Sequence, residues 1–413
     1  MSMIVFVSPR QTRFVDWSAK YFHGRMKILL SSREEVRQLP QGHLDNFDEV
    51  FYIENYFFDG IMYEYDRKEL FSLVDLLGER FGATVEVIVC FDEANVENAI
   101  ALRKRVSAHF IDCVSPSLFR DKLSMKKALE KEGVRVPRNL PLPKDGSLSY
   151  EEASSALHER LVVKPVSSAG TNSVFIIENE TDYSLCLDLL AEKRISFEVE
   201  EYVSGCLYHC DIIVLHGVPI FVGCMEYAFP PHMFQKNKPL GGRVVNNKSS
   251  VYHELREFSL RALSCLGGVN GSYHMEIFYS EGELIFLECA ARPPGLFVTE
   301  AYKMAYGLNI LNLDIEIRLG ILSCIELADF QDAFYMIYPI GDGVVSRISY
   351  PPSAPGVTIS SHPKISVGDV CNGCRSNVDF SFLILASGGE EAVENYWNEM
   401  KEFVPVDYSK SKF

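Results

Sequence analysis

Two glutamates on facing segments are the side chains of this sequence whose spacing most directly suggests chemistry. Glu276 and Glu288 lie in strand-like stretches on either side of Ser280-Glu281-Gly282-Glu283. A three-residue loop over 281–283 pairs Ser280 with Leu284 and sets Glu276 opposite Glu288, with Cβ atoms roughly 4.5–5.5 Å apart. Because like charges in such a pair repel, we expect a Mg²⁺ ion between them, since this ion prefers oxygen ligands. The alternative is a solvent-facing hairpin with two ordinary surface glutamates.

The same register divides the hairpin into a polar face and a core face. The polar face carries His274, Glu276, Phe278, Phe286, Glu288 and, further along, Arg292. The core face carries Met275, Ile277, Tyr279, Ile285, Leu287 and Cys289. For His274, a structural hydrogen bond is favoured over a catalytic role.

An apolar strand that ends on a lysine, followed by a loop of small residues, suggests phosphate binding. Leu161-Val-Val leads into Lys164, and Val166-Ser-Ser-Ala-Gly-Thr-Asn-Ser follows Pro165. Small residues let a backbone close over phosphates and offer N–H donors, and a lysine adds a point charge. The later strand Phe-Glu-Val-Glu-Glu-Tyr-Val, 197–203, can hold an adenine at its edge. The alternatives are a surface turn and a half-buried strand with a charged outer face.

Composition limits the class of protein. The 413 residues are 47% hydrophobic and 23% charged, which suits a globular chain of roughly two to four domains or subdomains. The net charge of −16 argues against unaided nucleic-acid binding. Eleven scattered cysteines indicate reduced thiols, and Cys371 and Cys374 lack the second ligand pair that zinc needs. With no signal-peptide or membrane-helix pattern, we expect a cytoplasmic protein that does not contact membranes.

Periodicity predicts the elements that position these residues. Strand and helix signals alternate over the first 115 residues, which predicts a small parallel sheet with covering helices. A helix over about 117–131 follows, and strands dominate 161–290 in an α+β pattern with several hairpins. The chain from about 330 is β-rich and closes on a helix near 390–403. Residues 227–247, with proline, glycine and basic residues, suggest a long loop that either covers the site or is solvated.

In this order, the motifs resemble those of the ATP-grasp superfamily over about 117–320. The matching pieces are Asp121-Lys122 opening a helix that ends Glu-Gly-Val-Arg-Val-Pro, Val-Val-Lys164-Pro165, Val-Glu200-Glu201-Tyr-Val-Ser-Gly205, His274-Met-Glu276, and Leu-Glu288-Cys-Ala-Ala-Arg292-Pro-Pro-Gly295. The resemblance implies a fold that is α/β and α+β in four parts. These are a Rossmann-like N-terminal domain (1–115), a small (116–195) and a large (196–325) ATP-grasp subdomain, and a β-rich C-terminal subdomain (326–413).

The resemblance also implies where ATP binds. The residues expected at the nucleotide are Lys122, Lys164, Ser167, Ser168, Gly170, Glu200, Glu201, Val203 and Asp211. The two lysines would bind the phosphates, and Glu200 would meet the adenine amino group beside backbone groups of Glu201 and Val203. An acidic ribose contact is expected just after Gly205, where this chain has Leu207; Asp211 or a backbone group would substitute.

For the chemistry itself, the resemblance assigns Glu276 and Glu288 to Mg²⁺. Arg292, with Lys164 and Gly295, would stabilise the transferring phosphoryl group and place the carboxylate substrate. Family members usually show Glu-x-Asn-x-Arg, but Ala290 stands where the metal-binding Asn is expected. This departure weakens the case for a second metal ion more than it weakens the case for the reaction.

The Arg-Pro-Pro-Gly ending and the flanking parts are most similar to the carboxylate–amine ligase branch, which includes L-amino-acid ligases that make peptide bonds. The implied reaction joins an amino acid or small acid to an amine through an acyl-phosphate, releasing ADP and phosphate. The alternatives are bicarbonate activation, as in biotin-carboxylase-like or purine-pathway enzymes, and a non-catalytic nucleotide-binding module. The partners would be small molecules. Homodimers are common in the superfamily, although no residue here demonstrates one.

Overall fold

The computed structural model describes residues 2–106, 110–158, 160–168, 170, 173–193, 195–322, 324–374, 376 and 378–409. Near its beginning, four parallel strands form a sheet in the order Glu49–Tyr52, Arg25–Ser31, Ser2–Val7 and Thr84–Val89. The α-helices of this part are Arg33–Arg37, Arg67–Phe81 and Val96–Val106, and a hairpin joins Tyr56–Phe58 to Tyr63–Tyr65. The predicted parallel sheet with helices is confirmed.

The helix Arg67–Phe81 shows how local sequence sets these elements. The Asp66 side chain accepts a hydrogen bond from the backbone N–H of Glu69, which caps the first turn. Gly82 ends the helix in the left-handed conformation, at φ 56°. The side chains that recur on one face and are buried in the same apolar cluster as the sheet are Leu70, Val74 and Leu77. Caps and periodicity therefore set the bounds of this helix.

A small antiparallel sheet follows, with strands in the order Asn139–Leu142, Phe197–Glu201, Leu161–Pro165 and Phe175–Ile177. The α-helices of this region are Lys122–Lys131, Tyr150–Leu157 and Glu180–Leu190. The expected subdomain boundary at 196 would separate Phe197–Glu201 from the strands that it pairs with. A boundary after Glu201 fits the sheets better.

An eight-stranded sheet makes up most of the second half. Its order is Glu283–Ala290, Gly271–Ser280, Cys206–Leu215, Val218–Tyr227, Leu240–Val244, Asp332–Pro339, Phe380–Gly388 and Val357–Pro363. The helices are Ser250–Leu266, Val298–Tyr306, Ile310–Arg318 and Glu390–Glu402, and a further sheet has the order Val370–Asn372, Asp342–Ile348 and Val406–Ser409. The β-rich end of the chain therefore extends the large sheet. Within the described residues, no helix combines the length and apolar character needed to cross a bilayer.

The prediction of one long loop over 227–247 is wrong. Leu240–Val244 is a strand inside the large sheet, paired with Val218–Tyr227 on one side and Asp332–Pro339 on the other. Gly241 is packed there so closely that a Cβ atom would lie 2.6 Å from the Tyr335 carbonyl oxygen. The glycines that suggested a loop are therefore required by tight strand packing. The connection between the strands is only 228–239.

The pairing in the hairpin around Glu281 departs from the predicted register at two places, and the two shifts offset each other. Its loop has two residues, Glu281 and Gly282, both with positive φ (52° and 84°), so Ser280 pairs with Glu283. That combination favours a type I′ turn. A β-bulge then absorbs one residue at Leu287, and Glu276 pairs with Glu288 as predicted.

The bulge also corrects two side-chain positions. Phe286 pairs with Ile277 and is fully buried in the core, whereas Leu287 lines the cleft beside Glu288. The sequence had predicted the reverse for Phe286 and Leu287, because a regular strand alternates strictly between its two faces.

Candidate active site

A cleft with a volume of about 240 Å³ collects most of the predicted site residues. Those that line it are Lys122, Lys164, Ser168, Gly170, Glu200, Glu201, Val203, Glu276, Glu288, Arg292 and Gly295. Two predicted residues do not line the cleft: Ser167 is exposed, and Asp211 is fully buried. Of the small-residue loop, Ala169, Thr171 and Asn172 fall outside the described residues. The sequence therefore predicted a set of residues that the fold does bring to one place.

The two opposed glutamates face this cleft in different surroundings. Glu276 accepts a hydrogen bond of 2.7 Å from the Tyr227 hydroxyl, and Glu288 lies 3.0 Å from the Lys122 ammonium. Burial, followed by the charge of Glu288, raises the pKa of the Glu276 carboxyl. Burial and the neighbouring carboxylate therefore both favour the protonated form of Glu276. Tyr227 is a contact that sequence reasoning missed, since its strand was taken for the start of a loop.

Lys122 links the small-residue loop to the carboxylate pair. It stands at the first position of the helix Lys122–Lys131, where Asp121 caps the helix by accepting from the Ser124 N–H. The Lys122 ammonium donates to the Ser168 carbonyl oxygen at 2.8 Å. Together with the contact to Glu288, this hydrogen bond places the buried Lys122 ammonium between the small-residue loop and the hairpin.

A second buried cation, Lys164, is surrounded by acidic side chains. Its ammonium lies 2.7 Å from a Glu200 oxygen and 3.9 Å from Glu198. Burial alone would lower the pKa of Lys164, but the charges of Glu200 and Glu198 outweigh it and raise this pKa well above its ordinary value. Lys126, which the sequence did not single out, binds the same two carboxylates at 2.5 and 2.8 Å. Its position four residues after Lys122, one helical turn on, is the signal that could have revealed it.

Glu201 faces away from Glu200 and meets a different pair of cations. Its carboxylate lies 2.5 Å from Arg135 and 2.8 Å from Arg138. The Glu200 carboxylate already serves as the counter-ion of Lys126 and Lys164. The adenine contacts expected at 200–203 remain predictions, although this strand lines the cleft.

Arg292 is oriented by a residue from the N-terminal part of the chain. The buried Glu93 carboxylate accepts from Arg292 Nη2 at 2.5 Å and Nε at 3.2 Å, and from Arg120 at 3.1 Å. Although burial would raise the pKa of Glu93, Arg292 and Arg120 lower it to about 2. Sequence reasoning missed this residue. The signal was its position just after the strand Thr84–Val89, because polar side chains beyond the carboxyl ends of parallel strands commonly serve a site.

Asp211 is the centre of a buried network and not a surface contact. Its two oxygens accept from His209 at 2.8 Å, His274 at 2.7 Å and the Tyr302 hydroxyl at 2.6 Å. The side chain has no exposed area, which argues against the ribose contact that the sequence suggested. Leu207 itself lines the cleft. His274 makes the hydrogen bond that was favoured for it, to Asp211, and it also lines the cleft.

The donor set of the cleft fits a nucleotide with a divalent cation. Lys122 and Lys164 are buried cations at its wall, as phosphate binding requires. Glu276 and Glu288 are hard oxygen ligands directly opposite each other, which is a donor set that suits Mg²⁺. Ala290 pairs with His274 in the next register position, where it contributes no ligand oxygen.

Comparisons with known proteins agree with this geometry. A family model described as an ATP-grasp domain matches residues 119–296. Over 242 residues, the chain is 25% identical to an L-arginine-specific L-amino acid ligase of Bacillus subtilis, covering 56% of this chain and 54% of that protein. Over 240 residues, it is 24% identical to dapdiamide A synthase of Enterobacter agglomerans, covering 54% of each. The chain thus spans about half the length of the curated relatives it matches.

The likeness in fold extends further than the likeness in sequence. An L-amino acid ligase from Bacillus licheniformis superposes with a TM-score of 0.74 at 14% identity, covering 99% of each chain. At this identity the likeness concerns the fold alone. The cleft, the family match and the shared architecture together show that the chain carries an ATP-grasp domain over residues 119–296.

Proposed function

We propose that this protein is an ATP-dependent carboxylate–amine ligase. The observation that carries the proposal is the meeting of Lys122, Lys164, the Glu276–Glu288 pair and Arg292 in one cleft. The relative named as an L-amino acid ligase and the ATP-grasp match over residues 119–296 support it, because that stretch contains most of the residues that line the cleft. The substrates would be a small carboxylic acid, such as an amino acid, and an amine.

In the first step, a carboxylate oxygen of the acid attacks the γ-phosphorus of ATP, and the bond to the β–γ bridging oxygen breaks. Lys122 and Lys164 would neutralise phosphate charge in the leaving ADP and the transferring group. Glu276 and Glu288 would hold Mg²⁺, which supplies charge neutralisation at the phosphates when bound. Arg292 would stabilise the acyl-phosphate, with Gly295 beside the acid.

In the second step, the amine nitrogen attacks the acyl carbon, and the bond from carbon to the phosphate oxygen breaks. The products are an amide, ADP and phosphate, and the nitrogen loses its proton to solvent. The cleft must exclude water during this step, because water would hydrolyse the acyl-phosphate. The connection 228–239, whose Pro230, Pro231 and His232 line the cleft, is the segment suited to that task.

ADP release with varied acceptors tests the proposal. Purified protein with ATP and Mg²⁺ would be given amino acids as acids, with either an amino acid or hydroxylamine as the amine. We expect ADP that depends on the acid, and a hydroxamate when hydroxylamine traps the acyl-phosphate. ADP release on bicarbonate alone would indicate the carboxylase-like alternative. ADP release that no acid or bicarbonate stimulates, with nucleotide binding retained, would indicate a binding module.

A further inference from the structure

The carboxylates that line the cleft in the described part of the chain already have partners. Four lining residues in the described part of the chain carry carboxylates, and each has a named partner. Glu200 contacts Lys126 and Lys164, Glu201 contacts two arginines, Glu276 accepts from Tyr227, and Glu288 contacts Lys122. A cationic group on a substrate would therefore have to displace an existing partner to reach an acidic one.

Beyond Glu276 the floor of the cleft is largely aromatic. Tyr227, Gly242 and Tyr335 pair in one row across three neighbouring strands, and Phe278 pairs with Leu207 in the strands on the other side. Tyr335 lies two strands beyond Tyr227. Because neighbouring strands are roughly 4.8 Å apart, this end of the cleft extends about 10 Å past the strand of Tyr227. Because Tyr227 and Tyr335 both line the cleft, this row gives it an aromatic floor.

Four lining side chains form an apolar patch at this end: Leu240, Leu296, Val298 and Tyr335. Leu240 and Tyr335 are each 1% exposed and Val298 is 3% exposed, so the patch is a packed wall. Gly242 contributes no side chain, since a Cβ there would lie 2.9 Å from Met225 Cε and 3.1 Å from the Tyr335 ring. A charged group buried on such a wall would lose its hydration without gaining a partner.

We propose that the acid activated by this protein carries an uncharged, apolar side chain that packs on the apolar patch. This inference rests on the proposed function and narrows its substrate class. The acid's carboxylate would lie at Arg292 and Gly295, directly before Leu296 and Val298 in the chain, so its side chain would point to the patch. By the same reasoning, arginine is a poor substrate here, unlike what the name of the Bacillus subtilis relative states for that protein.

Pairs of amino acids that are similar in shape but differ in charge test the effect of the substrate's side chain alone. Hydroxylamine replaces the amine in every assay, so that only the acid varies, and hydroxamate and ADP are both measured. Norleucine is compared with lysine, which adds one ammonium group to nearly the same chain, and leucine is compared with aspartate, which has a similar shape. We expect kcat/KM to be at least about a hundredfold higher for norleucine and leucine, because a pocket without partners rejects charge. Equal turnover of lysine, arginine or aspartate would overturn this inference while leaving the ligase proposal intact.

Absence of hydroxamate and of acid-dependent ADP with every acid would instead contradict the proposed function itself.

A variant of the patch tests where the side chain of the acid binds. Leu240→Ala should shift the ratio of kcat/KM values towards bulkier acids, phenylalanine over alanine, by about tenfold, since it enlarges the patch. Leu189→Ala, at a leucine that is 64% exposed, is the matched control and should leave the ratio unchanged. A ratio is insensitive to lost stability, so an unchanged ratio in folded Leu240→Ala would contradict the assigned patch.

Discussion

Replacing Glu93 by glutamine tests how the N-terminal part of the chain controls the cleft. The change removes one buried negative charge and keeps the shape, leaving Arg292 and Arg120 without their shared carboxylate. The pKa of Glu93 is about 2, compared with about 4.5 for an ordinary glutamate. At about 1.4 kcal/mol per pKa unit, the arginines stabilise the folded protein by roughly 3 kcal/mol through Glu93. Removing one partner of a buried ion pair costs a similar ~3–5 kcal/mol.

The sign of the pH dependence follows from the lowered pKa. Because the folded pKa lies below the unfolded one, the stabilisation is present above about pH 4.5 and is lost as the pH falls towards 2. The difference in unfolding free energy between wild type and Glu93→Gln should therefore be largest near neutral pH. Urea unfolding at several pH values measures it.

The catalytic effect should be separable from the loss of stability. Glu93 hydrogen-bonds to Arg292, whereas its interaction with Lys122 is through charge alone. The kcat should therefore fall about a hundredfold, as for a catalytic group displaced by ~1 Å. The KM for ATP should change little. Glu93→Asp keeps the charge and should recover part of the activity, and Glu97→Gln on the following helix is the control. A folded Glu93→Gln protein with wild-type kcat would refute the positioning role.

Three further predictions concern single side chains. Lys164→Ala should weaken ATP binding by about ten- to a hundredfold in calorimetry, because it removes a charged phosphate contact. The control Lys131→Ala, at an exposed lysine, should not weaken it. Unchanged ATP affinity of Lys164→Ala would contradict the assignment of Lys164 to the phosphates. Glu288→Gln should lower product formation by about a hundred- to a thousandfold through loss of a Mg²⁺ ligand, while Glu281→Gln at the hairpin tip stays active; near wild-type turnover would mean the metal site is misplaced. Burial and, second, the charge of Asp92 raise the pKa of Glu35 to about 7. The contribution of Glu35 to the free energy of unfolding is therefore complete below about pH 4.5 and declines as the pH rises through 7. Glu35→Gln should reduce this decline by roughly 3 kcal/mol in urea unfolding, and an unchanged pH dependence would contradict the prediction.

Local patterns in the sequence predicted the elements with strong periodicity and the residues that line the cleft. The helix Arg67–Phe81 has a capping aspartate, a terminal glycine and an apolar stripe, which are all local features. Lys164 was found because it ends a short apolar strand, and Glu288 because the register of the hairpin sets it opposite Glu276. Such signals depend on a few neighbouring residues, so one sequence is enough to detect them.

Contacts between distant segments could not be predicted in the same way. Glu93 and Arg292 meet only because the N-terminal sheet lies against the loop after the hairpin, and no local pattern encodes that approach. Asp211 was assigned to the nucleotide because it is the first acidic residue after Gly205. Its buried partners His274 and Tyr302 are far away in sequence and could not be foreseen. The strand Leu240–Val244 was taken for a loop because its glycines serve packing against another strand.

Because of the bulge at Leu287, the pairing of Glu276 with Glu288 does not depend on the length of the hairpin turn. A regular ladder closed by the Glu281–Gly282 turn would set Glu276 opposite Leu287; the extra residue restores Glu288 to that position. Changes in turn length can therefore be absorbed between the tip and the carboxylates without realigning the rest of the strand. In the evolution or redesign of this hairpin, the tip is free to vary, whereas insertions between Leu287 and Arg292 would shift the reactive groups against one another.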